Sequence, residues 1–222
     1  MRKTIFANEE IYHVFNRGLE KRPVFTDKRE FERALITLDF YRFAKTPLRL
    51  SKVMLLNRER EEEFWMRLKE NGGRRVGVIC YCFMPNHFHF LLRQNEDGGI
   101  SKFLSDFANS YTRYFNTKHD ERLGPIFQGN FGAVRIEDNE QLLHVFRYIC
   151  INPAVSFIVK KEELETYPWS ALLEFSGNKN RGISEKEIIL EQFSSIEKFK
   201  EFIFDQVDYG RTIKGIEHLL LE

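Results

Sequence analysis

Cysteine is scarce in this 222-residue sequence: Cys80, Cys82 and Cys150 make an odd number, which is no disulfide framework and reads as reduced thiols in a cytoplasmic protein. No apolar run approaches the roughly 20 residues that span a bilayer. The start, MRKTIFANEEIYHVF, carries two basic residues without the apolar stretch of a secretory signal. The expectation is therefore a cytoplasmic chain with no membrane partner. With 6 prolines and 13 glycines the sequence also lacks the composition of a disordered chain, and 42% hydrophobic residues suffice for one substantial core.

Charge of one sign is missing as well. The formal net charge is +1, which neither marks nor excludes a nucleic-acid partner. Its distribution is uneven: residues 1–50 hold 11 Lys/Arg against 7 Asp/Glu, and residues 151–222 hold 9 against 13. A basic front half fits a phosphate-binding face, and it fits solvated helix faces equally well.

Alternation predicts a first strand at Ile11–Phe15, closed by a turn at Asn16-Arg17-Gly18 in which glycine supplies a positive φ. Asp27 caps a helix reaching about Phe43 with Phe31, Leu35, Leu38 and Phe40 on its apolar face. A charged helix from Arg58 to Glu70 ends at Asn71-Gly72-Gly73, after an ambiguous stretch at residues 48–56. The segments VGVICYCF and HFHFLLR flank a Pro-Asn connection and predict a central antiparallel hairpin. A helix opened by Ser101 repeats Phe103, Leu104, Phe107, Tyr111 and Phe115 at helical spacing, which reads as core packing. A short strand at Gly132–Ile136 precedes a helix from about Asn139, expected to stop near Asn152 because Pro153 follows.

Two constellations carry chemistry. On a strand, His87 and His89 project from one face while Phe88 and Phe90 enter the other, so the imidazoles form a two-point metal clamp on a rigid element. On the helix, Tyr148 and Asn152 share a face one turn apart, with His144 a turn earlier, while Leu142, Val145 and Ile149 form the packing side. An Asn152 amide oxygen would complete a mixed His/His/Asn shell for a divalent ion beside a tyrosine nucleophile. A phenol is a weak nucleophile at neutral pH, and a metal that polarises a scissile phosphate compensates for this. The product, a phosphotyrosine, conserves the phosphodiester's bond energy for rejoining. A competing reading groups Cys80, Cys82, His87 and His89 around structural zinc, although C-x-C followed by H-x-H does not match the usual zinc-finger spacings.

Five segments in order, Tyr12–Gly18, Cys80–His89, Pro125–Phe131, Arg147–Pro153 and Tyr167–Ser170, resemble the HUH-type single-tyrosine transposases of the REP-associated, insertion-sequence-200-like branch. The resemblance implies an α+β chain with a ferredoxin-like antiparallel sheet and packed helices, the HUH endonuclease fold. The resembling segments place a catalytic domain at 1–175; the polar, acidic residues 176–222 fall outside the resemblance and read as a helical C-terminal extension. The resemblance further implies Mg²⁺- or Mn²⁺-dependent cleavage and rejoining of single-stranded DNA through a 5′-phosphotyrosine, with recognition of a DNA hairpin. By match to the motifs, Tyr148 is the nucleophile, His87 and His89 are metal ligands, and Asn152 is the third ligand. Arg17, Lys21, Arg22 and Arg147 are the expected DNA-binding side chains. In some members of the family the tyrosine helix packs across a homodimer, which leaves the subunit count open. Two other classes stand beside this one: a catalytically silent nucleic-acid-binding protein of the same fold, and a zinc-stabilised interaction module.

Overall fold

The computed structural model describes residues 5–216; Arg2, Lys3 and the last six residues of the expected acidic extension lie outside the described residues. Strands β1 (Ile11–Arg17), β2 (Val76–Met84), β3 (His87–Gln94) and β4 (Gly132–Arg135) form one antiparallel sheet in the order β2-β3-β1-β4. That is the ferredoxin-like order expected from the motifs.

The hairpin is not wholly central, however. Its strand β3 lies inside the sheet, whereas β2 is an edge strand that is buried along its whole length. An uncovered apolar edge would pair with other chains, and here the chain's own later segment seals it. Phe83 donates to the Trp169 carbonyl at 2.9 Å, Ala171 to the Tyr81 carbonyl and Glu185 to the Val78 carbonyl, both at 2.8 Å. The Tyr167 hydroxyl adds a bond to the Phe83 carbonyl at 2.9 Å, and the Trp169 ring stacks on Phe31. The Tyr167–Ser170 motif thus closes an edge.

Helix α1 (Lys28–Tyr41) starts where Asp27 accepts from the Glu30 amide, as expected. The ambiguous stretch contains a short helix, α2 (Leu50–Val53), before α3 (Arg58–Asn71). Helix α4 (Gly99–Lys118) opens at Gly99 rather than Ser101, because Gly98 takes a left-handed φ of 69° and turns the chain two residues early. Its aromatic stripe is core, with Phe103, Phe107 and Tyr111 fully buried.

Helix α5 (Asn139–Val155) overturns the expected stop at Asn152: it runs through Pro153. Proline removes one donor, and only in the last turn, while its ring is buried. The carbonyls at this point are satisfied: Ser156 donates to that of Asn152 and Ile158 to that of Pro153, each at 2.9 Å. The remaining helices are α6 (Leu172–Phe175), α7 (Glu187–Leu190), α8 (Ile196–Phe204) and α9 (Val207–Ile216). Phe199, Ile203 and Val207 join the hydrophobic cluster that underlies the sheet. Among the described residues no helix is long and apolar enough to cross a membrane.

The expected turn at Gly18 works differently too. β1 continues through Arg17, and Gly18 has an ordinary φ of −58°. Glycine is required because a Cβ there would lie 2.2 Å from the Arg22 carbonyl oxygen. The left-handed residues are Glu20 and Lys21.

The sheet separates two layers. Phe83, Phe88 and Phe90 meet Phe107 of α4 on one face. On the other, Cys80 Sγ lies 3.8 Å from Cys150 Sγ of α5. A register shift between Val78 and Cys80 absorbs Ile79, and the resumed pairing sets Cys82 opposite His89. Opposed residues of an antiparallel pair share a face, so the bulge brings the thiols beneath α5 alongside the histidines.

Candidate functional site

One sheet face gathers the chemistry. β1 and β3 pair with Phe15 opposite His89 and Arg17 opposite His87, so period-two alternation puts His13, Phe15, Arg17, His87 and His89 on the same side. Phe15 packs over Gly132 on the neighbouring strand, where a Cβ would lie 2.4 Å from its ring. Above this face runs α5, its Asp138 cap accepting from the Gln141 amide. Leu142, Phe146, Ile149 and Cys150 are buried, leaving Tyr148 49% exposed on the cleft side. The fully buried Phe146 anchors the opposite, packing side of the helix against Phe175 and Phe199, whereas Val145 is only half-buried.

The result is a cleft of about 430 Å³ lined by His13, Phe15, Arg17, His87, His89, Tyr148, Asn152 and Ser156. The Tyr148 ring stands edge-on to His89 with centroids 5.3 Å apart, and His87 and His89 are 5.0 Å apart at 89°. Asn152 is 6% exposed, and its Oδ1 accepts from the Ser156 hydroxyl at 3.3 Å.

The histidine hydrogen bonds define the donor set. His87 Nδ1 lies 2.6 Å from Asn86 Oδ1, an acceptor, so Nδ1 carries the proton and the neutral ring keeps its lone pair on Nε2. Asn86 is itself held, because its Nδ2 donates to the Lys21 carbonyl at 3.1 Å. His89 Nδ1 lies 2.9 Å from His13 Nε2. With the proton on His89 Nδ1, His89 also keeps its lone pair on Nε2. Burial pulls His13 down to about 4. Burial, and then the charges of His13, His87 and Arg17, hold His89 well below the usual imidazole value. Both are neutral at neutral pH, the form in which imidazole ligates a metal.

This donor set fits a divalent ion. Among the described residues no three His, Cys, Asp or Glu side chains are grouped to hold a metal, and the donors lining this cleft include the His87 and His89 imidazoles and the Asn152 amide. The thiols form no alternative cluster with the histidines among the described residues, and Cys80 and Cys82 are fully buried.

Of the other sequence candidates, Arg17 lines the cleft and three do not. Arg147 turns onto α8, donating to the Phe202 carbonyl at 3.3 Å and lying 4.3 Å above the Phe202 ring. Arg22 is exposed and pairs with Glu20. Lys21 contributes its backbone carbonyl to Asn86. His144 faces solvent beside Arg147 and Glu140. The Tyr111 hydroxyl is buried on the Val24 carbonyl at 2.6 Å and does not line the cleft. The sequence reading passed over His13, Phe15, Asn86 and Ser156. The alternation of buried Tyr12 and Val14 with His13 was a signal for the first of these.

A four-stranded antiparallel sheet bearing paired strand histidines beneath a helix tyrosine is the arrangement that the motif resemblance implied. Residues 51–152 match the family model described as Transposase IS200 like, a stretch ending on Asn152 that includes both strand histidines and Tyr148. A solved REP-associated tyrosine transposase bound to a REP hairpin shares the fold at a TM-score of 0.54 and 15% identity, covering 82% of this chain and 87% of that one. A tRNA(His) guanylyltransferase from Saccharomyces cerevisiae aligns at a TM-score of only 0.34 and 15% identity, covering 93% of this chain and 81% of that one. No curated protein matches the chain. The chain therefore resembles the IS200-like transposases in both sequence and fold.

Proposed function

We propose that the chain cleaves and rejoins single-stranded DNA through a covalent link to Tyr148. The observation that carries this reading is convergence: Tyr148, His87, His89 and Asn152, drawn from two sequence segments, line one cleft. A hydrolase would need only an activated water, whereas a tyrosine beside a metal-ready donor set suits reversible strand transfer.

In this reading the Tyr148 oxygen attacks a backbone phosphorus. The O–P bond to tyrosine forms, the bond from phosphorus to the 3′ oxygen breaks, and the leaving oxygen takes up a proton while the phenol loses one. The 5′-phosphotyrosine keeps the energy of the lost ester, so a 3′-hydroxyl can attack it and release Tyr148. His87, His89 and Asn152 would hold Mg²⁺ or Mn²⁺, which would polarise the scissile phosphate. Asn86 fixes the His87 tautomer, His13 accepting from His89 Nδ1–H would leave His89 Nε2 free to ligate, and Arg17 supplies positive charge at the mouth of the cleft. In this reading Tyr148 acts on DNA bound in the cleft that it lines in its own chain. The relative bound to a REP hairpin supports a hairpin-forming DNA as the partner.

The test is incubation with labelled single-stranded DNA carrying a hairpin, with and without Mn²⁺. A denaturation-resistant adduct whose DNA-bearing peptide contains Tyr148, absent in Tyr148→Phe, supports the reading. DNA binding with no adduct under any metal condition would instead favour a silent binding protein.

A further inference from the structure

A groove of about 1020 Å³ runs along the outer side of α4, walled by α1 and by residues 46–55. It lies on the far side of the sheet from the Tyr148 cleft, because α4 packs on the Phe88 and Phe90 face. Although the chain is nearly neutral, six cationic side chains line this groove: Arg33, Arg49, Arg75, Lys102, Arg113 and Lys118. Asp106 is the single carboxylate among the lining residues.

The cations differ in how far they are compensated. Arg75 and Lys102 share Asp106, and Lys118 pairs with Asp27 and Glu30. Arg49 and Arg113 are exposed and form no ion pair among the described residues. Arg33 is the most telling. It is half-buried, it contacts the Met54 sulfur and lies 5.1 Å from the Tyr114 ring centroid, and its Nε is buried without a hydrogen-bond partner. A partly desolvated guanidinium facing a thioether and a ring is a place where an anion is stabilised.

We infer that this groove binds the phosphate backbone of nucleic acid, as a second contact surface separate from the cleft. The inference rests on the reading of DNA as partner and adds the surface that holds it. From Lys102 to Thr117 the α4 wall is about 22 Å long at 1.5 Å per residue, the length of roughly six steps of one B-form strand. Polar Asn109, Ser110 and Thr117 recur along it and supply neutral donors between the cations.

The test compares the parent, an Arg49→Gln/Arg113→Gln double variant and Tyr148→Phe by fluorescence anisotropy. The probe is a labelled 40-nucleotide DNA that folds into a hairpin with a single-stranded tail, titrated over a range of NaCl. Both arginines are exposed, so a matching thermal midpoint verifies the fold. The double variant should bind at least about tenfold more weakly at low salt, and its slope of log K against log salt should fall by about two. Its Mn²⁺ affinity should equal the parent's, and Tyr148→Phe should bind DNA like the parent. Unchanged affinity and slope in the double variant would overturn the groove assignment while leaving the cleft reading intact. If the parent binds no DNA, both fall. Loss of binding to poly-glutamate with DNA binding retained would also overturn it, in favour of an acidic protein partner.

Discussion

His13 Nε2 lies 2.9 Å from His89 Nδ1, between neighbouring strands of the sheet, and this bond decides which nitrogen of His89 faces the cleft. An imidazole pinned through one nitrogen presents the other in a fixed direction, and such partners set ligand basicity and orientation. Asn86 does the same for His87 at 2.6 Å. The two strand histidines are therefore matched, each with its Nδ1 engaged by a neighbour that is not itself a ligand in the proposed shell.

Replacing His13 by alanine should lower Mn²⁺ affinity by about 10–100-fold, the range typical of lost outer partners. His13→Gln, whose amide oxygen can accept from His89 Nδ1–H, should recover most of that loss. Titration calorimetry on protein without DNA reads the effect directly. Unchanged affinity in the alanine variant would show that the His13–His89 bond does not orient the ligand.

The same buried imidazoles shape stability against pH. The unfolded chain protonates its histidines near 6.5, whereas His13 in the folded chain takes a proton only near 4. Between those values the unfolded state binds more protons, so stability falls as pH drops from about 6.5 towards 4 and is fully present above that window. For His13 the loss is at most about 3 kcal/mol, and His89, lowered in the same direction, adds to it. Urea unfolding at pH 7, 6, 5 and 4 should show the decline, and His13→Gln should make it shallower, leaving the share of His89. A stability curve level across that range would contradict the burial of neutral histidines.

Much of this was legible because strand alternation is local. His87 and His89 against Phe88 and Phe90 follow from period two alone, and Tyr148 and Asn152 share the cleft as helical spacing requires. What local rules could not give was partnership. That β1 lies beside β3, and so brings His13 to His89, depends on a pairing 76 residues apart. Pro153 misled because the residue before a proline is biased away from helix, not barred from it, and burial of the ring outweighs one missing donor in a last turn. Arg147 resembled a DNA contact by motif, yet the extension that claims it through Phe202 lies 55 residues on.

The cysteines give a third prediction. Cys80, Cys82 and Cys150 are buried without a disulfide, and burial holds the first two thiols protonated. Since the thiolate is the reactive form, a disulfide reagent such as Ellman's should leave all three untouched in the folded protein and titrate three after unfolding. Cys80→Ala/Cys82→Ala should retain Mn²⁺ binding. Tight zinc that disappears in this double variant would revive the structural-zinc reading.

The last prediction concerns how Tyr148 is held. Helix α5 carries Tyr148, the proposed nucleophile, and Arg211 of α9 grips the end of that helix, donating through Nε to the Ala154 carbonyl at 3.0 Å and through a terminal nitrogen to the Val159 carbonyl at 3.2 Å. Gly210 beside it allows close approach, since a Cβ there would lie 2.8 Å from Val155 Cγ2. Pro153 has already cost this turn one backbone bond, so the charged clamp stabilises the place where the helix is weakest. Hydrogen bonds from a charged donor contribute about 1.5–3 kcal/mol each, and a half-buried pair with shared geometry falls at the lower end. Arg211→Ala should therefore destabilise the protein by about 2 kcal/mol, a drop of about 4–8 °C in thermal midpoint for a chain of this size. Hydrogen exchange should quicken at the amides of Ser156 and Ile158, which bond to Asn152 and Pro153. Because His87 and His89 sit on the sheet, Mn²⁺ affinity should fall by no more than the share Asn152 provides, while adduct formation at Tyr148 should fall further. Equal losses in both, or neither, would show that the clamp does not position the nucleophile.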